Sequence, residues 1–484
     1  MGQGVTGERG VRISRIRTVE VPAMSKLFIA ISFGFLLGCC VPTPAYAQQS
    51  SNQLPICSPR LAALEKQLKS GDVAALENFW REVKQEGTPL VEPVPGDDQH
   101  VLVTFLWHGS AETKNVVLFS ALPAGADAAG AFSQDELLRS QLANLPGTNV
   151  WFKTHTLRKD ARFTYYLSPD DSLLPFDQRK DKDWNTLQPD PLNPHRYVLS
   201  HEDRDWVRSA VELPGAAPMP WLEARVDAPK GRTEEHRLSS RILGHERRFW
   251  VYTPPGYNEK GKPYHLLVLF DGWSFTHWIP TATIIENLLA ANRIHPLVAV
   301  MVDQKDRNLE LRCHEPFNEF LVRELIPWMR KHYHVTSNPA ETVVAGESNG
   351  GLAAAFAGLR HPEIFGNVLS LSGAFSWDPR EDQAVDQEDL KWEWIIRQYA
   401  AGPKLPLRFA LSVGLFERDR KFPDSPSMLQ ANRHMRDVLL AKGYTVSYKE
   451  VAAFHESFSG AVVLPDSLMS LVGTRVPDKK AASH

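Results

Sequence analysis

The 484-residue sequence has little cysteine, almost no net charge and no apolar run long enough to cross a membrane. It contains 4 cysteines, and 54 basic residues nearly balance 57 acidic ones, for a net charge of -3. Balanced charge creates no long-range field that would select nucleic acid or an anionic membrane, so neither is an expected partner. No internal repeat or low-complexity tract is present. The length and the 43% hydrophobic content predict two domains.

An apolar run near the N-terminus is typical of an export signal. Met24 begins MSK, which is followed by LFIAISFGFLL, a run too short to span a bilayer, and then by AYAQQ. Ala45 and Ala47 are the small residues that signal peptidase requires before its cleavage site. We therefore predict a signal region over 1–47, with its true start at Met24, and a periplasmic mature protein. A rival interpretation makes Cys39 of LLGCC the acylated first residue of a lipoprotein.

Removal of the signal would leave two cysteines, Cys57 and Cys313. Cysteines exported to an oxidising compartment can pair. Two unpaired thiols are the alternative, because the sequence does not give the distance between the two Cα atoms. The sequence also leaves the oligomeric state open.

The first half of the mature chain has the pattern of a β-rich domain. A helix-like segment, SPRLAALEKQLKSGDVAALENFWREV, precedes alternating apolar and polar residues in HVLVTFLWHG, NVVLFSAL and ARFTYYLSP. Short alternating strands separated by turns predict an immunoglobulin-like β-sandwich over 48–215. Clustered prolines in ELPGAAPMPWLE indicate a linker near 212–222, since proline neither donates ladder hydrogen bonds nor continues helices.

The second half has the pattern of an α/β fold. HRLSSRILGHERRFWVYTPP predicts a hairpin, whereas YHLLVLFDG and HPLVAVMVD are continuous apolar runs with helical stretches between them. Continuous apolar strands that alternate with helices predict a mostly parallel sheet with helices on both faces. We assign this domain to 216–475, with a polar tail over 476–484.

The stretch AGESNGG contains the candidate nucleophile, Ser348. It matches G-x-S-x-G at a predicted strand-to-helix turn, which is the context of a nucleophile elbow. Gly346 and Gly350 would flank the strained serine where side chains collide with the neighbouring strand and helix. The motif also recurs by chance, and the alternative is a serine in a glycine-rich turn; the strand before it and the helix after it favour the nucleophile.

A serine nucleophile needs a base and an acid further along the chain, in the order Ser, acid, His. His455 follows YTVSYKEVAAF, which we predict to be the last strand. Glu417 and Asp419 both lie just past the preceding predicted strand, RFALSVGLF, and either could orient the imidazole. The sequence therefore predicts a triad of Ser348, His455 and one of these two acids.

An oxyanion hole needs two N–H groups held in place before the reaction. One would come from Asn349, the residue after the nucleophile, and the other from the loop after LLVLF. Gly272 and Trp273 are the candidates for the second donor. The alternative is that Asp271 and Gly272 form only a tight turn.

With these residues placed, the sequence resembles the bacterial enterochelin (enterobactin) esterases, a branch of the esterase D-like α/β-hydrolases. The likeness covers most of the mature chain. In the N-terminal half it is carried by GTNVWFKTHTLRKDARFTYYLSPDD and DPLNPHRY. In the C-terminal half it is carried by VLFDGW, RNLELRCHEPF, VVAGESNGGLAAAFAGLRHPEIFGNVLSLSG and VSYKEVAAFHE.

The resemblance implies Ser348 as the nucleophile, His455 as the base and Glu417, rather than Asp419, as the acid. It also implies substrate contacts from Arg307 and Glu310 of RNLEL, with the arginine facing an anionic iron-bound catecholate. A structural salt bridge between Arg307 and Glu310 is the alternative.

Three aromatic residues near the predicted oxyanion loop, Trp273, Phe275 and Trp278, could stack on catechol rings, although tryptophans beside a core strand more often pack in the core. The substrate that the resemblance implies is a ferric catecholate siderophore whose trilactone esters are cleaved. No metal or organic cofactor is expected, because the iron belongs to the substrate.

The sequence departs from the family pattern in two places. Family members carry glycines before the catalytic histidine and an aspartate after it, whereas this chain has AAFHES around His455. The resemblance therefore does not define how this loop is held. The export signal is the second departure, and it predicts ester cleavage in the periplasm. A feruloyl or acetyl-xylan esterase and a non-catalytic periplasmic siderophore-binding protein are the rival functions.

Overall fold

The computed structural model describes residues 56–120, 134–175, 178–180, 185–381, 383, 386 and 389–474. The predicted signal region, with Cys39, and the predicted tail lie outside these residues. Within the described part of the chain, no helix has the length and apolar character needed to span a membrane.

Two helices begin the described chain, α1 (Pro59–Lys69) and α2 (Ala75–Glu86). The Ser58 side chain caps α1 by accepting the Leu61 N–H, and Pro59 suits the first helical position because its missing N–H has no helical partner. The two helices bury apolar residues against Leu106, Val150 and Phe152 of the following strands. They confirm the helix-like character of this segment.

The N-terminal half continues as two four-stranded antiparallel sheets, with strand orders β1-β2-β5-β4 and β3-β6-β8-β7. The elements are β1 (Leu90–Val94), β2 (Asp97–His108), β3 (Val116–Ser120), α3 (Gln134–Arg139), β4 (Ala143–Asn144), β5 (Val150–Arg158), β6 (Arg162–Pro169), β7 (Arg196–Ser200) and β8 (Asp205–Glu212). Both sheets contribute to one buried cluster that includes Val103, Phe105, Leu118, Phe163 and Tyr165. The alternating segments seen in the sequence therefore form the strands of this core.

The C-terminal half is built on one eight-stranded sheet of order β16-β15-β14-β13-β11-β12-β10-β9. Its strands are β9 (Arg232–Ser239), β10 (Glu246–Thr253), β11 (His265–Phe270), β12 (Leu297–Val302), β13 (Thr342–Glu347), β14 (Asn367–Leu371), β15 (Arg408–Gly414) and β16 (Thr445–Val451). The strands from β11 to β16 run parallel, and β9 and β10 form the predicted antiparallel hairpin at one edge. The sheet is therefore mixed.

Helices cover both faces of this sheet. They are α4 (Thr281–Ala290), α5 (Arg307–Glu310), α6 (Glu315–Phe320), α7 (Ile326–His332), α8 (Asn349–Arg360), α9 (Trp394–Ala401), α10 (Met428–Ala441) and α11 (Ser457–Val472). Successive strand side chains point to opposite faces, so Leu266 and Val268 lie in one apolar cluster and Leu267 and Leu269 lie in the other. This two-sided burial explains why the parallel strands read as continuous apolar runs.

The parallel strands bring their carboxyl ends to one edge of the sheet. Ser348 follows β13, Glu417 follows β15 and His455 follows β16. Because neighbouring parallel strands end on the same side, this topology gathers three residues that are far apart in sequence.

Candidate active site

Ser348 stands at a sharp turn between β13 and α8. Its backbone has φ 59° and ψ −120°, a strained conformation that places a nucleophile above the end of a sheet. A Cβ on Gly346 would lie 2.5 Å from the backbone of Gly350. Only glycine at position 346 lets the strand and the helix approach so closely, whereas a Cβ on Gly350 would meet no atom nearer than Asp271 Oδ2 at 3.2 Å. Gly346 therefore has the steric role expected in an elbow.

Glu417 holds the imidazole of His455. The Glu417 Oε2 and His455 Nδ1 atoms are 2.8 Å apart, and the Glu417 side chain is 2% exposed. The other carboxylate oxygen accepts hydrogen bonds from Ser372 Oγ and the Gly414 N–H, each at 2.6 Å. Glu417, and not Asp419, is therefore the carboxylate that the structure joins to His455. Nε2 is the ring nitrogen that this bond leaves for a proton from Ser348.

Opposing effects set the pKa of His455. Burial lowers it, but the Glu417 carboxylate and its hydrogen bond raise it, as does the nearby Glu347 carboxylate, so that the net shift is upward from the usual value. A raised pKa makes the imidazole a stronger base at the pH where it is neutral.

Ser348, Glu417 and His455 line one cavity of about 720 Å³. Both halves of the chain form its walls: the N-terminal sheet provides Tyr166, Tyr197, Leu199, His201, Trp206 and Arg208. Four cationic side chains, Arg208, Arg307, Arg312 and Lys421, also line it. A cavity of this size, with aromatic walls and a few convergent polar groups, suits a small organic ligand.

The two sides of the predicted oxyanion hole differ in what the structure shows. Asn349 is the first residue of α8, so its N–H has no partner within the helix. The Trp273 N–H instead donates to Asp303 Oδ1 at 3.0 Å, which does not favour it as an oxyanion donor. A Cβ on Gly272 would lie 2.6 Å from the Met301 carbonyl oxygen, so close packing against β12 accounts for this glycine.

Arg307 and Glu310 do not pair with each other, so the alternative of a salt bridge between them is wrong. Arg307 donates to both carboxylate oxygens of Asp271, from Nε at 2.6 Å and from Nη2 at 2.8 Å. Its side chain remains 43% exposed, and it lines the cavity.

Glu310 lies elsewhere, because its buried carboxylate accepts two hydrogen bonds from Arg247, one of them from Nη1 at 3.0 Å. The structure therefore brings Arg307, but not Glu310, to the cavity. The resemblance placed both residues at the substrate because both belong to RNLEL, and it could not show which way each side chain turns.

The three aromatic residues near this loop have different surroundings. Phe275 is 1% exposed within the core. Trp273 stacks on His277 with ring centroids 3.9 Å apart and is not among the residues that line the cavity. Trp278 does line it, with its indole N–H donated to the Ser200 carbonyl at 2.9 Å. Of the three, Trp278 is the one placed to contact a ligand.

Two acidic residues of the site escaped the sequence reasoning. Burial raises the pKa of Glu347 to about 7, and the carboxylates of Glu417 and Asp271 add to this effect. Glu456 accepts a hydrogen bond from the Thr164 N–H at 2.9 Å. Each is next in sequence to a predicted catalytic residue, and this adjacency is the sequence feature that could have indicated its place in the site.

The described residues offer no resident metal centre, since none of their His, Cys, Asp and Glu side chains form a group of three or more that could hold a metal ion. Cys313 has a free thiol, so the structure shows no disulfide between it and Cys57. Burial raises the pKa of the Cys313 thiol well above its usual range, which leaves it protonated and unreactive.

Two family models match the chain. One, described as "Putative esterase", matches residues 240–462. The other, described as "Enterochelin esterase, N-terminal", matches residues 102–222. Together they cover the C-terminal sheet from β10 to β16, with its elbow, and most of the N-terminal strands.

Similar proteins agree with these models. An iron(III) enterobactin esterase from Dickeya dadantii (strain 3937) is 30% identical over 420 residues, covering 81% of this chain and 91% of the relative. The crystal structure of a ferric enterobactin esterase from Salmonella typhimurium has a TM-score of 0.65 and 25% identity, and the match covers 82% of this chain and 98% of that one. An enterobactin esterase from Shigella flexneri, crystallised in the presence of enterobactin, has a TM-score of 0.62 and 25% identity, with 82% and 97% covered.

These matches confirm the predicted α/β-hydrolase fold of the C-terminal half. They also confirm the resemblance seen in the sequence. The protein is a carboxylic-ester hydrolase, and the chain belongs to the enterobactin esterase family.

Proposed function

We propose that this esterase hydrolyses the trilactone ester bonds of a catecholate siderophore of the enterobactin kind. The observation that carries the proposal is the Glu417–His455 hydrogen bond of 2.8 Å in the same cavity as the elbow serine, Ser348. The substrate class follows from relatives whose names specify enterobactin. Opening the lactone breaks the preorganised cage of the ligand, so that iron is held less tightly.

The reaction would proceed through an acyl-enzyme. Ser348 Oγ attacks the ester carbonyl while His455 Nε2 accepts the hydroxyl proton, and Glu417 stabilises the imidazolium that forms. The N–H of Asn349, with Gly272 as the second candidate donor, would hold the negative oxygen. His455 then returns the proton to the departing serine alcohol of the substrate. Water, deprotonated by the same imidazole, attacks the acyl-enzyme and releases the acid and free Ser348.

The walls of the cavity fit a polyphenolic anion. Aromatic side chains such as Tyr166, Trp206 and Trp278 offer faces for aryl rings. Arg208, whose guanidinium lies 5.3 Å from the Tyr166 ring centroid, and Arg307 supply positive charge near the nucleophile. The iron of a ferric complex would enter as part of the substrate.

We infer an immunoglobulin-like topology for the N-terminal sheets. In this assignment β1, β2, β4 and β5 correspond to strands A, B, D and E, so that the first sheet has the order A-B-E-D. Strands β3, β6 and β8 then correspond to C, F and G, which lie side by side in the second sheet. The domain limits of 48–215 and 216–475 remain proposals. Export and cleavage after Ala47 are also proposed. The intact mass of the protein purified from a periplasmic fraction tests both, since it shows whether residues 1–47 have been removed.

Mass spectrometry of substrate mixtures tests the activity. The full-length protein is incubated with ferric enterobactin, with iron-free enterobactin and with a feruloylated sugar, and the products are followed over time. Linear and monomeric dihydroxybenzoyl-serine products support the proposal. Turnover of the sugar ester alone would show a carbohydrate esterase instead.

Ser348→Ala separates catalysis from binding. The variant should lose the acyl-enzyme and about 10⁴-fold or more of the rate, because no hydroxyl remains to attack. It should keep its affinity for the ferric siderophore, measured by quenching of tryptophan fluorescence. Equal catalysed hydrolysis in the wild type and the variant would contradict the proposed nucleophile, and no catalysed hydrolysis in either would favour a siderophore-binding protein.

A further inference from the structure

The loop that carries His455 is attached to the N-terminal sheet at both of its ends. The Arg162 N–H donates to the Ala452 carbonyl at 3.0 Å. The Thr164 N–H donates to Glu456 Oε1 at 2.9 Å, and the Thr164 hydroxyl donates to Glu456 Oε2. His455 therefore lies between two anchor points on one strand, β6.

The geometry of β6 explains why the loop fits there. Strand β3 pairs with β6 over Tyr165–Pro169, and β8 pairs with the opposite edge over Arg162–Tyr165. Residues two apart in a strand turn their N–H groups to the same edge. The N–H groups of Arg162 and Thr164 thus lie on the β3 edge, and the loop accepts both of them as a neighbouring strand would.

Apolar packing and charge strengthen this attachment. Phe454 is 3% exposed and belongs to the core of the N-terminal sheets. Its ring contacts Phe163 edge to face, with centroids 6.0 Å apart. Arg208 of β8 lies 3.6 Å from the Glu456 carboxylate, whose side chain is 8% exposed. A carboxylate with so little water contact depends on these donors.

We propose that Thr164 and Glu456 are positioning residues for catalysis: the N-terminal sheet sets the place of the base through the Thr164–Glu456 contact. The inference rests on the proposed Ser348–His455–Glu417 mechanism. Ser348 directly follows β13, whereas His455 is four residues beyond the end of β16. Its loop gains a second support from β6. The N-terminal domain is then part of the catalytic machinery as well as of the cavity wall.

A pair of threonine variants in the full-length protein tests the contact. Thr164→Val removes the hydroxyl donor but keeps the shape and the backbone N–H, and Thr164→Ser keeps the hydroxyl. We expect kcat for a simple p-nitrophenyl ester to fall about tenfold in the valine variant. KM should change little, and the serine variant should recover the rate. Reaction of Ser348 with a fluorophosphonate should slow in parallel, since it needs the same base.

Thr154→Val is the matched control. Thr154 lies in β5, and its hydroxyl is 2.9 Å from that of Thr104, within the other N-terminal sheet. An equal loss of kcat in this control would overturn the proposal, because the effect would then reflect general destabilisation. Unchanged kcat and fluorophosphonate reactivity in folded Thr164→Val, judged by its melting temperature, would overturn it as well.

Glu456→Gln gives an independent measurement in case Thr164→Val does not fold. The amide keeps one acceptor oxygen and loses the other, so kcat should again fall with KM maintained, whereas wild-type kcat would contradict the positioning role. Failure of the siderophore proposal is seen separately, in a wild-type enzyme that cleaves the p-nitrophenyl ester but leaves enterobactin intact.

Discussion

His455 is the residue whose chemistry depends most on its surroundings. Burial alone would lower the pKa of its imidazole, and the Glu417 and Glu347 carboxylates together more than reverse that effect. Glu347, with a pKa raised to about 7, adds negative charge near the ring once it ionises. The pKa of the His455 imidazole is therefore raised by two carboxylates, only one of which is hydrogen-bonded to it.

The raised pKa of His455 predicts a pH profile. The imidazole must be neutral to accept the Ser348 proton, so kcat/KM should rise with pH and reach half its plateau above the usual histidine value of about 6.5. In Glu417→Gln the largest raising effect is lost, and the midpoint should move to lower pH. The plateau should also fall, by about 10³-fold or more, because the imidazolium loses its counter-charge.

Stopped-flow hydrolysis of a simple ester across this pH range measures both quantities. Asp419→Asn is the control, since Asp419 also lines the cavity but is not the carboxylate bonded to His455. It should keep the wild-type midpoint. A shift in the Asp419 variant as large as in the Glu417 variant would argue against Glu417 as the acid.

At the scale of the element, the elbow between β13 and α8 depends on glycines that allow close approach. A Cβ on Gly346 would collide with the Gly350 backbone at 2.5 Å. We expect Gly346→Ala to destabilise the fold by about 1–3 kcal/mol and to reduce kcat, because the turn that presents Ser348 must shift. Urea denaturation and ester hydrolysis measure the two effects.

Gly261→Ala is the matched control for this prediction. Gly261 precedes β11, and a Cβ there would have no atom nearer than 4.0 Å. The variant should retain both stability and activity. Wild-type kcat in Gly346→Ala would contradict the prediction, because the turn would then accept a Cβ at this position without moving Ser348.

The sequence predicted the elements that depend on local pattern. The parallel strands, the β9–β10 hairpin and the turn at Ser348 follow from apolar periodicity and the G-x-S-x-G spacing. Glu417 and Asp419 are equivalent by spacing; the resemblance favoured Glu417, and the direction of its side chain in the structure agrees. Trp273 failed as a predicted donor for a similar reason, because its N–H is used by Asp303.

Contacts between distant elements were beyond the sequence. Thr164 and Glu456 are 292 positions apart, and no pattern near either residue indicates the other. In AAFHES, which departs from the family pattern, Phe454 and Glu456 contact the N-terminal sheets. These contacts of Phe454 and Glu456 can be seen only in the folded structure.

At the scale of the whole molecule, both halves of the chain line the cavity and contact the loop that carries His455. Phe454 follows the last strand of the catalytic sheet, yet it is buried in the N-terminal core and its ring centroid lies 4.6 Å from that of Phe416. Two further contacts join the N-terminal half to the segment after β11. Tyr197 donates its hydroxyl to the Trp278 carbonyl at 2.9 Å, and the Trp273 indole donates to the Ser200 carbonyl at 2.7 Å. The N-terminal half therefore contacts both the loop that carries His455 and the loop after β11.

This arrangement predicts that a cavity in the shared core affects catalysis, whereas one elsewhere in the N-terminal half does not. Phe454→Ala should cost about 3–5 kcal/mol of unfolding free energy and should also lower kcat. Phe79→Ala makes a similar cavity in the cluster under α1 and α2, where Phe79 is 5% exposed, and should leave kcat unchanged. Guanidinium denaturation followed by tryptophan fluorescence gives the stabilities, and ester hydrolysis at a temperature where both variants are folded gives kcat. Equal kcat in the two folded variants would contradict this prediction. It would mean that the core that holds the His455 loop contributes to stability but not to catalysis.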